Sequence, residues 1–397
     1  MTLYLPAMAV STCLGHGKAA TIDPLMAGSR AGLRSRDDFL PGRSVPLGGL
    51  AVEPGPLPSE FAKWDSRNNR LLAALALEIE DGITAAIDRF GPHRIAVVIG
   101  TSTSGIAEGE AAVATHQATG IWPDGFHYRR QETGSGAAFL AQLLGISGPA
   151  YVVATACSSS AKALASARRL IRAGVVDAAI AGGADTLCRM TVAGFASLEA
   201  LSSQPCNPFS VNRSGITIGE GGALFLLTPD PAEVVLAGIG ETSDAHHVSA
   251  PDPDGKGALD AMTAALADAA LSPTQIGYVN LHGTATPLND AMESKAVAAL
   301  FDFPVTCGST KAMTGHTLGA AGAVEAAFLW MTLSRDWNPD RLVPPHPWDG
   351  IADPALPPLA MALPGARLPV GASAALSNSF AFGGSNCCVA LRRGDGQ

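Results

Sequence analysis

Residues 151-YVVATACSSSAKALASARRL-170 decide the fold class. The apolar, β-branched run from Tyr151 to Val153 reads as a buried strand, and the alanine-rich continuation reads as a helix. Cys157 and three serines stand at the step between them. The same alternation recurs outward in both directions. Strand-like runs occur at 94-RIAVVIG-100, 177-DAAIAGG-183 and 222-GALFLLT-228, with helical patterns between them, notably over 69–90. A second series follows: 234-VVLAGIGET-242, a helix near 257–270, 276-IGYVNLH-282, a helix near 289–300, 304-PVTCGS-309 and a helix over 317–333. Two closing strands, 371-GASAALSNS-379 and 386-NCCVALR-392, complete it. Such alternation predicts an α/β protein with buried central strands. The pattern breaks at 229-PDPAE-233, which divides the chain into halves of 1–230 and 231–397 with similar strand and helix counts. The proline-rich stretch 339–359 reads as a surface loop wrapping the second half.

Of the 397 residues, 47% are hydrophobic and 15% charged, a globular composition, and the net charge of −9 argues against general nucleic-acid binding. The seven cysteines form no CxxC pair, which points to a reducing compartment rather than a disulfide framework or zinc site. The uncharged run from Thr133 to Ala161 is long enough to imitate a membrane span, but its glycines and Pro149 break it into helix, turn and strand. The first residues lack a basic leader and read as an interior strand, so a cytoplasmic protein without membrane insertion is expected.

Cys157 is the first candidate for chemistry. At a helix N-terminus, unpaired amides and the positive dipole end favour thiolate, and the same amides can form part of an oxyanion hole. A nucleophilic thiol needs proton-handling partners. His282 ends the strand IGYVNL and opens 282-HGTATPLND-290, and His316 lies in 309-STKAMTGHTLGAAG-322, where glycines let backbones approach closely. His246 and His247 have no carboxylate or cysteine at ligand spacing and read as a solvated loop, so no metal is expected.

TACSSS, HGTATPLND, STKAMTGHTLGAAG and 377-SNSFAFGGSN-386 occur in this order, with 205-PCNPFSVNRSGITIGEGG-222 between the first two. Together they resemble the active-site motifs of the β-ketoacyl-acyl carrier protein synthases, the condensing enzymes of the thiolase superfamily. The resemblance runs from about residue 93 to the C-terminus. It implies a thiolase fold of two βαβαβαββ halves in five α-β-α-β-α layers. It also implies a homodimer (a heterodimer with a paralogue being the other option), an acyl carrier protein as partner, and no cofactor beyond the carrier's phosphopantetheine. In that family Cys157 would take the acyl chain, and His282 and His316 would bind the malonyl thioester carbonyl and support decarboxylation. Lys311 resembles the family lysine, Glu293 its acidic partner, and Glu325 a more distant group acting through water. Thr284 and Thr286 match the pantetheine-binding threonines. Phe382 matches the gating phenylalanine whose amide, with that of Cys157, completes the oxyanion hole.

Several positions depart from the fatty-acid enzymes. Asn207 stands where they carry an arginine of the carrier-docking patch, so Lys63, Arg67, Arg70, Arg129 and Arg130 are candidate replacements. Thr103 falls where long-chain enzymes place a bulky residue lining the acyl pocket, and Ala285 and Ala381 replace a serine and a glycine. The combination of 100-GTSTSGI-106 with TACSSSAKALASARRLI is similar to condensing enzymes of aryl polyene pathways. A thiolase would place a second cysteine before the C-terminal glycines, where this chain has Phe380-Ala381-Phe382, and a chain-length-factor partner would lose the nucleophile.

Overall fold

The structure is a computed structural model, and it describes residues 1–394. In the first half the strands are β1 (Tyr4–Thr12), β2 (Ile95–Gly100), β3 (Ala150–Val153), β4 (Ala178–Asp185) and β5 (Gly221–Thr228). They lie side by side as β3-β2-β4-β5-β1. In the second half β6 (Val234–Ser243), β7 (Ile276–Asn280), β8 (Thr306–Gly308), β9 (Ala374–Phe380) and β10 (Ser385–Arg393) lie as β8-β7-β9-β10-β6. The two orders are the same, and so are the directions. β2 runs parallel to β3 and β4, as β7 does to β8 and β9. The last two strands of each half pair antiparallel. The sheets meet through one residue pair between β1 and β6, Tyr4 with Val235. The duplication that composition only hinted at is therefore explicit in the topology.

The helices are α1 (Arg67–Leu77), α2 (Ser135–Leu143), α3 (Ser159–Arg172), α4 (Lys256–Ala269), α5 (Pro287–Leu300) and α6 (Ala321–Leu333), with shorter ones between. α3 and α6 lie between the two sheets and against each other, while α1 and α2 cover the outer face of the first sheet. α4 covers the second sheet, with α5 packed beside it. Five layers result, α-β-α-β-α. All thirteen residues of α6 are buried, which explains why its sequence is apolar all round rather than striped. The crossing of the two central helices is close. A Cβ at Gly322 would stand 2.7 Å from the Ala161 Cβ and 2.8 Å from its nitrogen, so the glycine lets α6 approach α3.

Two sequence expectations change in detail. The helical pattern over 69–90 is two helices, α1 and Glu80–Phe90, because the chain turns to bury Ile79 in the outer core. The hairpin Leu33–Leu40 with Arg43–Gly48 went unforeseen, since its charged, mostly exposed first strand carries no apolar signal. The proline-rich stretch lies against both halves rather than the second alone, meeting Asn207, Ser210 and Arg213 of the first and Tyr278 and Ser309 of the second, and Val343 and His346 within it are buried. Among the described residues, no helix is long and apolar enough to cross a membrane.

Candidate active site

The duplicated topology brings the motifs together. Cys157 precedes α3 and His316 precedes α6, equivalent positions in the two halves, while His282 follows β7 at the corresponding sheet edge. The Cys157 turn is tight. Ala156 has φ +52°, a left-handed conformation held by its context, and a Cβ at Gly100 would stand 2.3 Å from the Ser160 nitrogen. The three serines hold the turn through their hydroxyls. The Ser159 hydroxyl donates to the Ala156 carbonyl at 2.6 Å, that of Ser158 donates to the Thr155 carbonyl, and that of Ser160 accepts the Ala323 N–H at the start of α6. His316 is pinned through its backbone, its N–H donating to the Thr217 carbonyl and its carbonyl accepting the Gly219 N–H.

Nε2 of His316 lies 3.0 Å from the Cys157 sulfur. The His282 ring stands edge-on to that of His316, centroids 5.5 Å apart. Both imidazoles are buried, and neither ring nitrogen of His282 has a hydrogen-bond partner, nor has Nδ1 of His316. Burial, with the Lys311 charge nearby, holds both histidines well below the ordinary imidazole range, so both are neutral at physiological pH. The Cys157 sulfur and the histidine nitrogens lie within 4.8 Å of one another, a donor set that could also ligate a divalent ion.

The thiol corrects one expectation. Burial pushes Cys157 up to about 11, although Lys311 and the amides of Phe382 and Cys157 itself pull it down. Desolvation outweighs the helix terminus, so the resting group is a neutral thiol facing His316, not a thiolate. The same two amides, aimed at the sulfur, are the pair expected to form the oxyanion hole. The Phe382 ring rests against Phe195 at 5.9 Å, above a turn in which Gly383 and Gly384 both take positive φ. A contact of 3.0 Å between the hydroxyls of Ser158 and Ser385 ties that turn to the cysteine.

Lys311 is buried and ion-paired, but with Glu325 rather than with the expected Glu293. Glu325 therefore acts by direct contact and not through water. Burial pushes it up to about 7 against the pull of the lysine. Glu293 instead holds the His282 turn, accepting the N–H groups of His282 and Gly283, each at 2.8 Å, and the Asn378 amide at 3.0 Å. A helix-borne carboxylate eleven residues downstream fits these two amides, whereas Glu325 projects from the central helix towards the lysine. The Thr284 and Thr286 hydroxyls are buried side by side, 3.0 Å apart.

The other expected positions are mostly engaged within the protein. The Thr103 hydroxyl and amide both donate to Asp185 at 2.8 Å, so its polar atoms serve a buried carboxylate. Arg67 pairs with buried Glu220 and with Glu53, and Arg70 pairs with Asp65, which removes both from a free docking surface. Arg130 donates to the Ala62 carbonyl, whereas Lys63 and Arg129 flank the Trp64 ring at 5.6 and 5.0 Å. His246 and His247 are exposed, as expected of a solvated loop.

Three groups were missed. Asp185 gathers the hydroxyls of Thr101 and Thr103 and the amides of Ser102, Thr103 and Ala320, joining the end of β2 to the His316 loop. Asp290, pushed by burial up to about 7, accepts the amides of Phe209 and Ala285 and so shapes the threonine loop. The acid at the end of a glycine-containing strand and the one opening a helix were visible signals for both. His346, buried and lowered to about 4 mainly by desolvation, lies in the proline-rich stretch and carried no such signal. Because its native pKa lies below the ordinary 6.5, unfolded chains bind the extra proton first. Its contribution to stability is complete above pH 6.5 and is lost on acidification towards 4, about 3 kcal/mol in all. The difference in urea-unfolding stability between the parent and His346→Phe across these pH values should show that loss, whereas the parent's total also carries Asp290 and Glu325, both raised to about 7, which shift in the opposite direction.

A cysteine at a strand-to-helix elbow, facing two neutral histidines across a duplicated α/β core, defines a thiolase-fold protein. Residues 58–232 match the beta-ketoacyl synthase N-terminal domain and residues 233–343 the beta-ketoacyl synthase C-terminal domain. A chain of the complex of the ketosynthase ApeO with its chain length factor ApeC from Xenorhabdus doucetiae is 44% identical, with 99% of this chain and 98% of that one covered and a TM-score of 0.93. A beta-ketoacyl synthase from Burkholderia phymatum is 27% identical over 99% of both chains, with a TM-score of 0.89. The mitochondrial 3-oxoacyl-[acyl-carrier-protein] synthase of Arabidopsis thaliana is 38% identical over 266 residues, and synthase 2 of Synechocystis sp. 35% over 270. These alignments cover 62% and 63% of this chain, and 56% and 63% of the relatives' own lengths. The chain belongs to the β-ketoacyl synthase family.

Proposed function

We propose that the chain is a 3-oxoacyl-[acyl-carrier-protein] synthase, an acyltransferase that condenses an acyl thioester with a malonyl thioester. The Cys157 sulfur attacks the acyl thioester carbonyl, His316 takes its proton, and the carrier thiol leaves with a proton. The malonyl carbonyl then occupies the donor site of the two imidazoles, so His316 turns to the substrate the nitrogen that had faced the thiol. The bond to the carboxylate breaks and CO2 departs, leaving its electron pair on an enolate stabilised by N–H groups in a water-poor pocket. The enolate carbon attacks the acyl-cysteine carbonyl, whose developing charge meets the amides of Cys157 and Phe382. The carbon–sulfur bond then breaks with its electron pair going to the Cys157 sulfur, which takes up a proton to restore the resting thiol, and the 3-ketoacyl product remains on the carrier.

One observation carries this reading. His282 is fully buried with both ring nitrogens unpartnered, an arrangement that costs free energy unless a substrate completes it. In this reading Thr284 and Thr286 hold the pantetheine arm, and no cofactor is needed beyond that arm. Lys63, and Arg129 with only a 4.0 Å approach to Glu132, are the basic contacts offered to an acidic carrier protein. β3 ends the first sheet with its outer edge unpaired and half-exposed, which suits pairing with a second ketosynthase-fold chain in a cytoplasmic dimer. That second chain is another copy or a paralogue, as in the ApeO–ApeC complex. The similarity to that complex, together with the departures at Asn207, Ala285 and Ala381, supports a specialised pathway of the aryl polyene kind. A chain that only shaped its partner's pocket would not need the thiol–imidazole contact. Incubation with an acyl carrier thioester and malonyl carrier thioester should release one CO2 per 3-ketoacyl product. CO2 release without the ketoacyl product, or neither, would count against condensation. Acceptance of saturated starters alone, with aryl and unsaturated ones refused, would remove the pathway assignment.

A further inference from the structure

His346 stands outside the catalytic cluster but touches both loops that frame it. Its Nδ1 accepts the Ser309 N–H at 3.0 Å, and its Nε2 faces the Pro208 carbonyl at 3.1 Å. A backbone amide can only donate and a carbonyl can only accept, so the ring is fixed as the neutral tautomer with its proton on Nε2. Each contact leads onward to the substrate side of the site. The Ser309 hydroxyl donates to the Gly283 carbonyl at 2.8 Å, directly after His282, and lies 3.3 Å from the Lys311 N–H. Pro208 precedes Phe209, whose φ is +61° and whose N–H reaches Asp290, the carboxylate that also holds the Ala285 N–H between the two threonines. The packing leaves little slack. A Cβ at Gly283 would stand 2.5 Å from the Ser309 Cβ and 2.9 Å from the Phe209 ring. The Phe209 and Trp348 rings flank the imidazole, at 6.1 and 5.4 Å between centroids. Among the described residues no hydrogen bond joins His346 or Ser309 directly to the Cys157 elbow, which is built from Thr155, the serines and the Phe382 turn.

We propose that His346 is a positioning residue for the malonyl half of the reaction: it holds the His282–Thr286 loop, through Ser309 and through the Pro208–Phe209–Asp290 path, and leaves acyl loading on Cys157 to the other half. The proposal rests on the condensing reading given above. It predicts a split between half-reactions, which general destabilisation would not produce.

His346→Phe keeps a flat ring of similar size but deletes both hydrogen bonds. Acyl loading, followed as mass added to Cys157 over time, should stay within about twofold of the parent. Malonyl decarboxylation by the loaded variant should fall at least tenfold, with a higher KM for the malonyl thioester, about the loss expected when a supporting contact is removed. Ser309→Ala, a smaller change that cuts the links of that hydroxyl to Gly283 and to the Lys311 N–H, should show the same split more weakly and guards against a His346 variant that fails to fold. Equal losses in both half-reactions, or none in either for both variants, would overturn the assignment. Failure of the condensing reading itself would look different, because the unaltered protein would then take up no acyl group.

Discussion

Lys311→Ala is expected to destabilise the protein by about 3–5 kcal/mol, the largest effect of a single substitution on its stability. Lys311 and Glu325 are both buried and ion-paired with each other, and the second carboxylate oxygen of Glu325 has no partner. Removing the ammonium leaves that carboxyl in a low-dielectric site with only protonation to relieve it. The variant should therefore recover part of the lost stability at acid pH, where Glu325 takes up a proton. A double Lys311→Met, Glu325→Leu variant should regain most of the loss, since an apolar pair replaces the ion pair without stranding a charge. Urea unfolding of the three proteins measures this. A cost below about 1 kcal/mol for Lys311→Ala would show that the pair is not buried as described.

The second large effect falls on the chemistry. His282→Ala should lower malonyl decarboxylation by about 10²–10³, the usual cost of deleting one donor to a developing oxyanion. Acyl loading should persist, because the imidazole in contact with the thiol is that of His316 and not that of His282. Single-turnover release of CO2 from malonyl carrier thioester, compared with acyl uptake, separates the two. Undiminished decarboxylation would remove His282 from the carbonyl site.

The candidate site residues were legible because each lies in a short motif beside a strand end, where backbone sterics demand glycine, small or hydroxyl residues. Cys157, His282, His316 and the Phe382 turn converge as the motifs implied. The α/β class was legible from the alternation of strands and helices, the five-layer order followed from the family resemblance, and the shared strand order of the halves became visible only in the pairing. Partner choice was harder. Glu293 and Glu325 both lie downstream of catalytic turns, and sequence spacing does not reveal which side of a buried helix faces a lysine. The state of Cys157 was misjudged for a related reason. A helix terminus can be recognised from residues, whereas the extent of desolvation depends on the layers that close over it. His346 was invisible because a histidine in a proline-rich stretch looks like a loop residue until its neighbours are known. Arg67 and Arg70 resembled surface charges because their acidic partners, Glu220 and Asp65, have no recognisable spacing to them.

The central claim is that Cys157 carries the acyl group. Intact-mass measurement of the protein after exposure to a panel of acyl carrier thioesters tests it most directly. The unaltered chain should gain the mass of one acyl group, most rapidly with its preferred starter, and Cys157→Ala should gain none. Acyl mass on the Cys157→Ala protein, or none on the unaltered chain with any starter in the panel, would contradict it.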